Sequence, residues 1–333
     1  IMSDNTKQMK NGKAFEYAIL NQYVSKLKKD GITVVVTEDD VFYNNQKCYE
    51  EMSDSDKKRF DAAAIATIDT LQKLEAGLNI KDADDPLLVR MATDSEGKNG
   101  DVRDVIFERE KAKWSIGISA KNNNDAVKHN RLSKVKDFGL SWIGYPCSDE
   151  YWSAITPVFN ELEIASKNKV KWNELENKFD NYYVPVLEAF RKELLRISNE
   201  NPDAPGLLIT YLLGKYPFYK VIKEDKYNTV VIRAFNIGGK LNASVNGIKP
   251  KYKTPKVKLP TRIVEFDFKK RSKTTLMMIL DGGWEVSFRM HSGDGSAVPS
   301  LKFDIQLTGN PPIIFTQHLF QDNKDKNEDN KPV

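Results

Sequence analysis

The chain has 333 residues, 40% of them hydrophobic and 29% charged, with a formal net charge of +4. A chain of this size can bury a large core and divide into two lobes; its ordinary composition excludes a fibrous or low-complexity protein, and its small net charge does not by itself argue for nucleic acid. The longest apolar run, near Leu207 to Leu213, is too short to span a bilayer; the first residues hold no apolar signal core, and Cys48 and Cys147 give neither a disulfide framework nor a metal-ligand spacing, so a cytoplasmic protein with no membrane partner is expected.

Residues 6–28 read as an amphipathic helix, with Phe15, Ala18, Ile19, Tyr23 and Leu27 at helical spacing. Residues 32–36 form a β-branched strand. Ser53 suits an N-cap, and 54–78 reads as a long helix rich in Ala and Ile. Residues 87–92, 100–107 and 114–121 read as three strands, followed by a helix over 123–136. Residues 149–166 and 172–198 are helix-like, with Pro157 and Pro185 expected to kink or interrupt them. The last third changes character: 227–235, 262–268, 275–280, 284–290 and 301–307 read as strands, the last two alternating apolar and polar residues. Residues 322–333 are mixed in charge with almost nothing apolar and read as a disordered tail.

The pair 100–107 and 114–121 carries the chemistry. One strand has Asp101 and Asp104 near its start, and the other ends in Lys121. Side chains alternate faces along a strand, so Ser119 and Lys121 share a face with Gly117. A turn centred on Glu110-Lys111 sets residue 104 opposite residue 117, and Asp104 then points to the side of Ser119 and Lys121. A loop one residue different reverses this, because a register slip flips every side chain. Asp104 is the first candidate and Asp101 the second. Hydrolysing a phosphodiester requires a neutralised phosphoryl group, an activated water and a stabilised leaving oxyanion. Magnesium held by carboxylates supplies much of this, since hard cations take oxygen ligands. Asp104 is then the metal ligand, Ser119 and the Ala120 carbonyl the weaker oxygens, and Lys121 the cation near the phosphate. The bland reading of the same residues is a turn aspartate and a surface lysine.

Three distant segments carry a resemblance. They are Gly12-Lys13-Ala14-Phe15-Glu16-Tyr17-Ala18, the run from Gly117 through Lys121 and His129 to Ser133, and Trp284 to Gln306 with Phe288-Arg289-Met290-His291 and Pro299-Ser300-Leu301-Lys302-Phe303-Asp304. In that order and spacing they resemble the HaeIII family of type II restriction endonucleases, within the PD-(D/E)XK nuclease superfamily, from about residue 12 to about residue 320. The resemblance implies an α/β fold: a restriction-endonuclease-like mixed sheet flanked by helices, with a helical middle and a β-rich C-terminal lobe. It implies Mg2+-dependent double-strand cleavage of a short GC-rich palindrome, GGCC. The partners would be double-stranded DNA, a second copy of the chain (unless a monomer nicks twice), and a cognate methyltransferase acting on the same site. The departure from the superfamily pattern is Ser119, neutral where many relatives have a carboxylate. Glu16, on the first helix, is the candidate to replace that charge as catalytic residue and metal ligand.

The division expected is a nuclease core at 1–145, a helical region at 146–222, a DNA-recognition lobe at 223–320 and a tail at 321–333. Between Lys249 and Lys273 ten Lys or Arg residues stand against Glu265 and Asp267, which reads either as a solvated basic loop or as a phosphate-contacting surface. Asn123, Lys128, His129 and Arg131 follow the catalytic strand and are candidates for DNA contacts. Arginine matches two acceptors on the guanine edge, so Arg289, with His291 and Lys302, is the candidate set for base or adjacent phosphate contacts. Cross-strand ion pairs of Arg289 or Lys302 with Glu285 or Asp304 are the alternative. Two rival functions stay open at the level of sequence. One is a non-catalytic DNA-binding protein on a degenerate nuclease core, which Ser119 allows. The other is a methyltransferase, against which no glycine-rich cofactor loop is found.

Overall fold

A computed structural model of the chain describes residues 4–98, 100–123, 126–293 and 295–320; the tail expected beyond residue 321 lies outside them. In chain order the elements are α1 (Asp4–Lys29), β1 (Val34–Val36), α2 (Asp40–Glu50), α3 (Asp54–Leu74), β2 (Leu87–Met91), α4 (Asp94–Lys98), β3 (Val105–Arg109) and β4 (Trp114–Asn122). Next come β5 (Ala126–Lys128), β6 (Arg131–Leu132), α5 (Phe138–Ile143), α6 (Asp149–Lys167), α7 (Val184–Glu200) and α8 (Ala204–Leu213). The chain closes with β7 (Phe218–Glu224), β8 (Thr229–Phe235), β9 (Ile263–Phe268), β10 (Thr275–Leu280), β11 (Glu285–His291), β12 (Leu301–Gly309) and β13 (Thr316–Phe320). They form two compact units. The first comprises Ile1–Asn124, Tyr216–Val257 and Ile313–Val333, and the second Asp125–Lys215 and Lys258–Pro312.

The first unit is a seven-stranded mixed sheet in the order β1-β2-β3-β4-β7-β8-β13, flanked by helices. Strand β4 lies at its centre, antiparallel to β3 and parallel to β7. The predicted apolar stripe of α1 is fully used, with Phe15, Ala18, Ile19, Tyr23 and Leu27 all buried. They share one core with Ala64 and Ile68 of α3 and with Ile116, Ile118 and Ala120 of β4. Ser53 caps α3 as expected, its hydroxyl accepting from the Asp56 amide. At the end of β3 the Arg109 guanidinium, 1% exposed, donates to the carbonyls of Gly77 and Ile80 at 2.7 Å each and to that of Asp85. It thereby fixes the loop between α3 and β2, since buried carbonyls need donors.

The second unit is an antiparallel sheet ordered β5-β12-β11-β10-β9, with β6 also on β12. Its core is aromatic. Phe190 of α7 lies 4.8 Å from Phe138, 5.0 Å from Phe303 and 5.3 Å from Phe288, centroid to centroid. Among the described residues no helix is long and apolar enough to cross a membrane.

The structure corrects several expectations. Residues 126–128 and 131–132 are strands, not a helix; they pair with β12, and that ladder outweighs a weak helical pattern. The helix expected over 172–198 is broken into a 3-10 turn at Trp172–Glu174, a π-helical turn at Phe179–Tyr183 and α7 from Val184, so the interruption expected at Pro185 falls at the junction of the π-helical turn and α7. Helix α6 runs through Pro157 without a break. Helix α2, capped by Asp39, and strands β7 and β13 were not anticipated.

Candidate active site

Strands β3 and β4 pair Val105 with Ile118 and Ile106 with Gly117, around a turn one residue further on than expected. Extended by one step, that ladder sets residue 104 level with Ser119 and not with Gly117. The partner moves by two residues, so the facing of the side chains survives. Asp104 Oδ2 accepts from the Ala120 N–H at 2.7 Å, the Ser119 hydroxyl at 3.2 Å and Lys121 Nζ at 3.4 Å. Lys121 and Asp104 form a partly exposed ion pair at the end of the central strand.

Asp101 has a different environment. It is buried and held by Arg103, whose Nε lies 2.9 Å from Oδ1 and whose Nη2 lies 2.7 Å from Oδ2. The Arg103 guanidinium also sits 4.4 Å from the centroid of the Tyr216 ring. Its stem crosses Gly117, where an added Cβ would come within 2.2 Å of Arg103 Cδ. The glycine in the middle of β4 is therefore the space that the arginine occupies.

Glu16 projects from α1 into the same cleft, a cavity of about 460 Å³ lined also by Lys13, Asn45, Thr93, Asp101 and Asp104. Asn45 Nδ2 donates to Glu16 Oε2 at 2.8 Å. Burial, and then the charge of Asp104, push the Glu16 carboxyl up to about 8 from 4.5, against the pull of Lys121, Asn45 and Lys13. A buried carboxyl whose ionisation is opposed by a neighbouring carboxylate suits a divalent cation shared by the two, and the buried amide oxygen of Asn45 adds a third hard donor. The donor set thus fits magnesium: Glu16 and Asp104 would hold it, with Lys121 beside them. No trio of His, Cys, Asp or Glu is grouped for a metal anywhere among the described residues, this cleft included, so the site would rest on two carboxylates, and Ser119 adds only a hydroxyl. Ala120 meets Asp104 through its amide.

The candidate DNA-binding residues fall into distinct environments. Asn123, in the left-handed region at φ 56°, is paired with Asp225, whose amide donates to its Oδ1 at 2.8 Å. In the second unit, His291 pairs with Lys302 across β11 and β12, and Lys302 pairs with Arg131 of β6, one polar row over three strands. Arg289 and Asp304 form the neighbouring register pair. Neither Arg289 nor Lys302 forms an ion pair among the described residues, so the cross-strand alternative is not realised. Glu285 instead accepts from Thr308, and Asp304 lies 3.6 Å from His129 Nδ1. Arg131 Nη1 donates to Ser300 at 3.0 Å. Lys128 stands apart from the row: its ammonium lies 3.8 Å from the Tyr211 ring centroid, and burial lowers its pKa.

Sequence reasoning missed Asn45 and Arg103. Asn45 sits on an unpredicted helix. Arg103 next to Asp101 could have been suspected from the buried acid it would need to neutralise.

The HaeIII restriction endonuclease model matches residues 12–311. The type II restriction enzyme HaeIII of Haemophilus aegyptius is 38% identical over 311 residues, which is 93% of this chain and 97% of that protein. No solved structure matches the chain significantly. With an acid–lysine pair at the end of the central strand of a mixed sheet and a match over nearly its whole length, the chain belongs to the HaeIII restriction endonuclease family.

Proposed function

We propose that the protein is a type II restriction endonuclease that cuts both strands of DNA at a short GC-rich palindrome, GGCC, with magnesium as cofactor. The observation that carries this reading is that Glu16 and Asp104 line one cleft and Lys121 is ion-paired to Asp104. When bound, the cation neutralises phosphoryl charge and lowers the pKa of a water. Glu16 and Asp104 would hold it. The Ala120 amide and the Ser119 hydroxyl keep Asp104 aimed, and Lys121 stabilises the charge that develops on the scissile phosphate. The products are a 5′-phosphate and a 3′-hydroxyl.

Base reading falls to the polar row of the second unit. Arg289 and Lys302 supply donors for guanine, and His291, Arg131 and His129 are further donors beside them. Lys128 and Asn123 contact the backbone. A two-fold target is met by a homodimer or by two sequential nicks, and host DNA is spared by a methyltransferase acting on the same site.

The test is digestion of unmethylated phage DNA with and without Mg2+, followed by sequencing of the fragment ends. Discrete Mg2+-dependent fragments ending within GGCC are expected. Smearing would replace the reading by a nonspecific nuclease, and binding without cleavage in Mg2+ or Mn2+ by a DNA-binding protein on a degenerate core.

A further inference from the structure

Asn45 stands in the cleft wall with half of its amide unused. It lies on the buried stripe of α2, with Phe42 before it and Cys48 after it, where the helical pattern calls for an apolar residue. It is 2% exposed. Its Nδ2 donates to Glu16 Oε2 at 2.8 Å, while Oδ1 is buried and has no hydrogen-bond partner among the described residues. Leaving such an oxygen unpaired is costly, because it forfeits its hydration without a replacement, and buried unsatisfied atoms are few in native proteins. The orientation has a chemical reason. Glu16 Oε2 is the acceptor in this contact, so the amide nitrogen faces it and the amide oxygen is left over. Both atoms belong to one planar amide, which places Oδ1 beside the carboxylate that Nδ2 holds.

We infer that Asn45 both positions Glu16 and lends its Oδ1 as a third protein oxygen to the cation held by Glu16 and Asp104. This rests on the reading of the cleft as the cleavage site. It accounts for a polar residue on an apolar stripe, for the orphaned oxygen, and for a site in which Ser119 supplies no charge. Hard divalent cations accept amide oxygens alongside carboxylates, and residues that orient a ligand carboxylate typically change metal affinity by about 10–100-fold when removed.

The experiment is Mn2+ titration of the full-length protein without DNA, followed by electron paramagnetic resonance of the free ion. Asn45→Leu, similar in size and without polar atoms, should weaken Mn2+ binding about tenfold or more. Asn45→Asp, which keeps an oxygen at that place, should bind Mn2+ within about threefold of wild type or tighter. Its melting temperature should drop without metal and recover with it, because the added charge faces Glu16. Wild-type affinity in Asn45→Leu, or a tenfold loss in Asn45→Asp, overturns the inference. Should Asn45→Leu fail to fold, Asn45→Asp decides alone. Glu16→Gln and Asp104→Asn are run beside them. If those lose Mn2+ while Asn45→Leu does not, only the role of Asn45 falls. If wild type itself takes up no Mn2+, the reading of the cleft falls with it.

Discussion

Asp104 takes its shortest hydrogen bond, 2.7 Å, from the backbone N–H of Ala120 and not from the side chain of Ser119, at 3.2 Å. The acid is thus held chiefly by main chain, which mutation of Ser119 leaves in place.

Ser119→Ala should therefore cost less than about tenfold in the rate of cleavage, whereas Lys121→Ala should cost about 10²–10³-fold or more, because it removes a charge needed only as the transition state forms. Lys121→Ala should still bind the same DNA. Single-turnover cleavage and gel-shift assays on one duplex measure both, and normal cutting by Lys121→Ala would displace the assignment of the core.

The two aspartates should separate stability from activity. Asp104→Asn should abolish cleavage with little change in melting temperature, since its site is partly open. Asp101→Asn should retain metal binding but lose stability. Arg103→Ala, which leaves a buried carboxylate unpaired, should destabilise by about 3–5 kcal/mol. Urea denaturation with matched cleavage rates reads both. A stable, inactive Asp101→Asn would make Asp101 the metal ligand instead.

Glu16 predicts a pH dependence. Its carboxyl titrates near 8 in the folded chain and at an ordinary value of 4.5 once unfolded. Between those values the folded state binds the proton and the unfolded state does not, so stability in EDTA falls as pH rises through that window. Glu16→Gln carries no titrating group and should flatten the slope, gaining on the order of 2 kcal/mol over wild type at about pH 8. Adding Mg2+ at that pH should raise the melting temperature of wild type more than that of the variant. Equal slopes in wild type and variant would sink the assignment.

Arg289 makes no ion pair among the described residues and is exposed, so its loss should be silent for folding. Arg289→Ala is expected to reduce discrimination of the target from a site with one GC pair changed by about 1–3 kcal/mol while leaving nonspecific binding intact. Competition binding against the two duplexes tests this. Undiminished discrimination would move base reading elsewhere.

Much of the site was legible because alternation and register are local. The face shared by Ser119 and Lys121 follows from the pleat, and the expected turn missed by one residue in a way that kept Asp104 on that face. Glu16 was reached through the family pattern. What stayed hidden depends on distant partners. Residues 126–132 became strands because β12 offers a ladder to them. Strand β7 carries Lys220 and Lys223 at buried positions, so it shows no simple alternation. Asn45 could not be placed while its helix went unread, and a lone asparagine has no pattern until the carboxylate it holds is known.

The order in which the strands are synthesised has a consequence for the nascent chain. Glu16, Asp104 and Lys121 all emerge early, but the parallel partner of β4 is β7, which follows the whole stretch Asp125–Lys215, and β13 comes at the end of the described chain. A product truncated near residue 124 holds the acids and the lysine without the strand that supports them on one side. Such long-range closure is slow and late. Prematurely ended translation should thus yield fragments unable to nick the host's own genome, and nicking assays on chains stalled before and after β7 would show it.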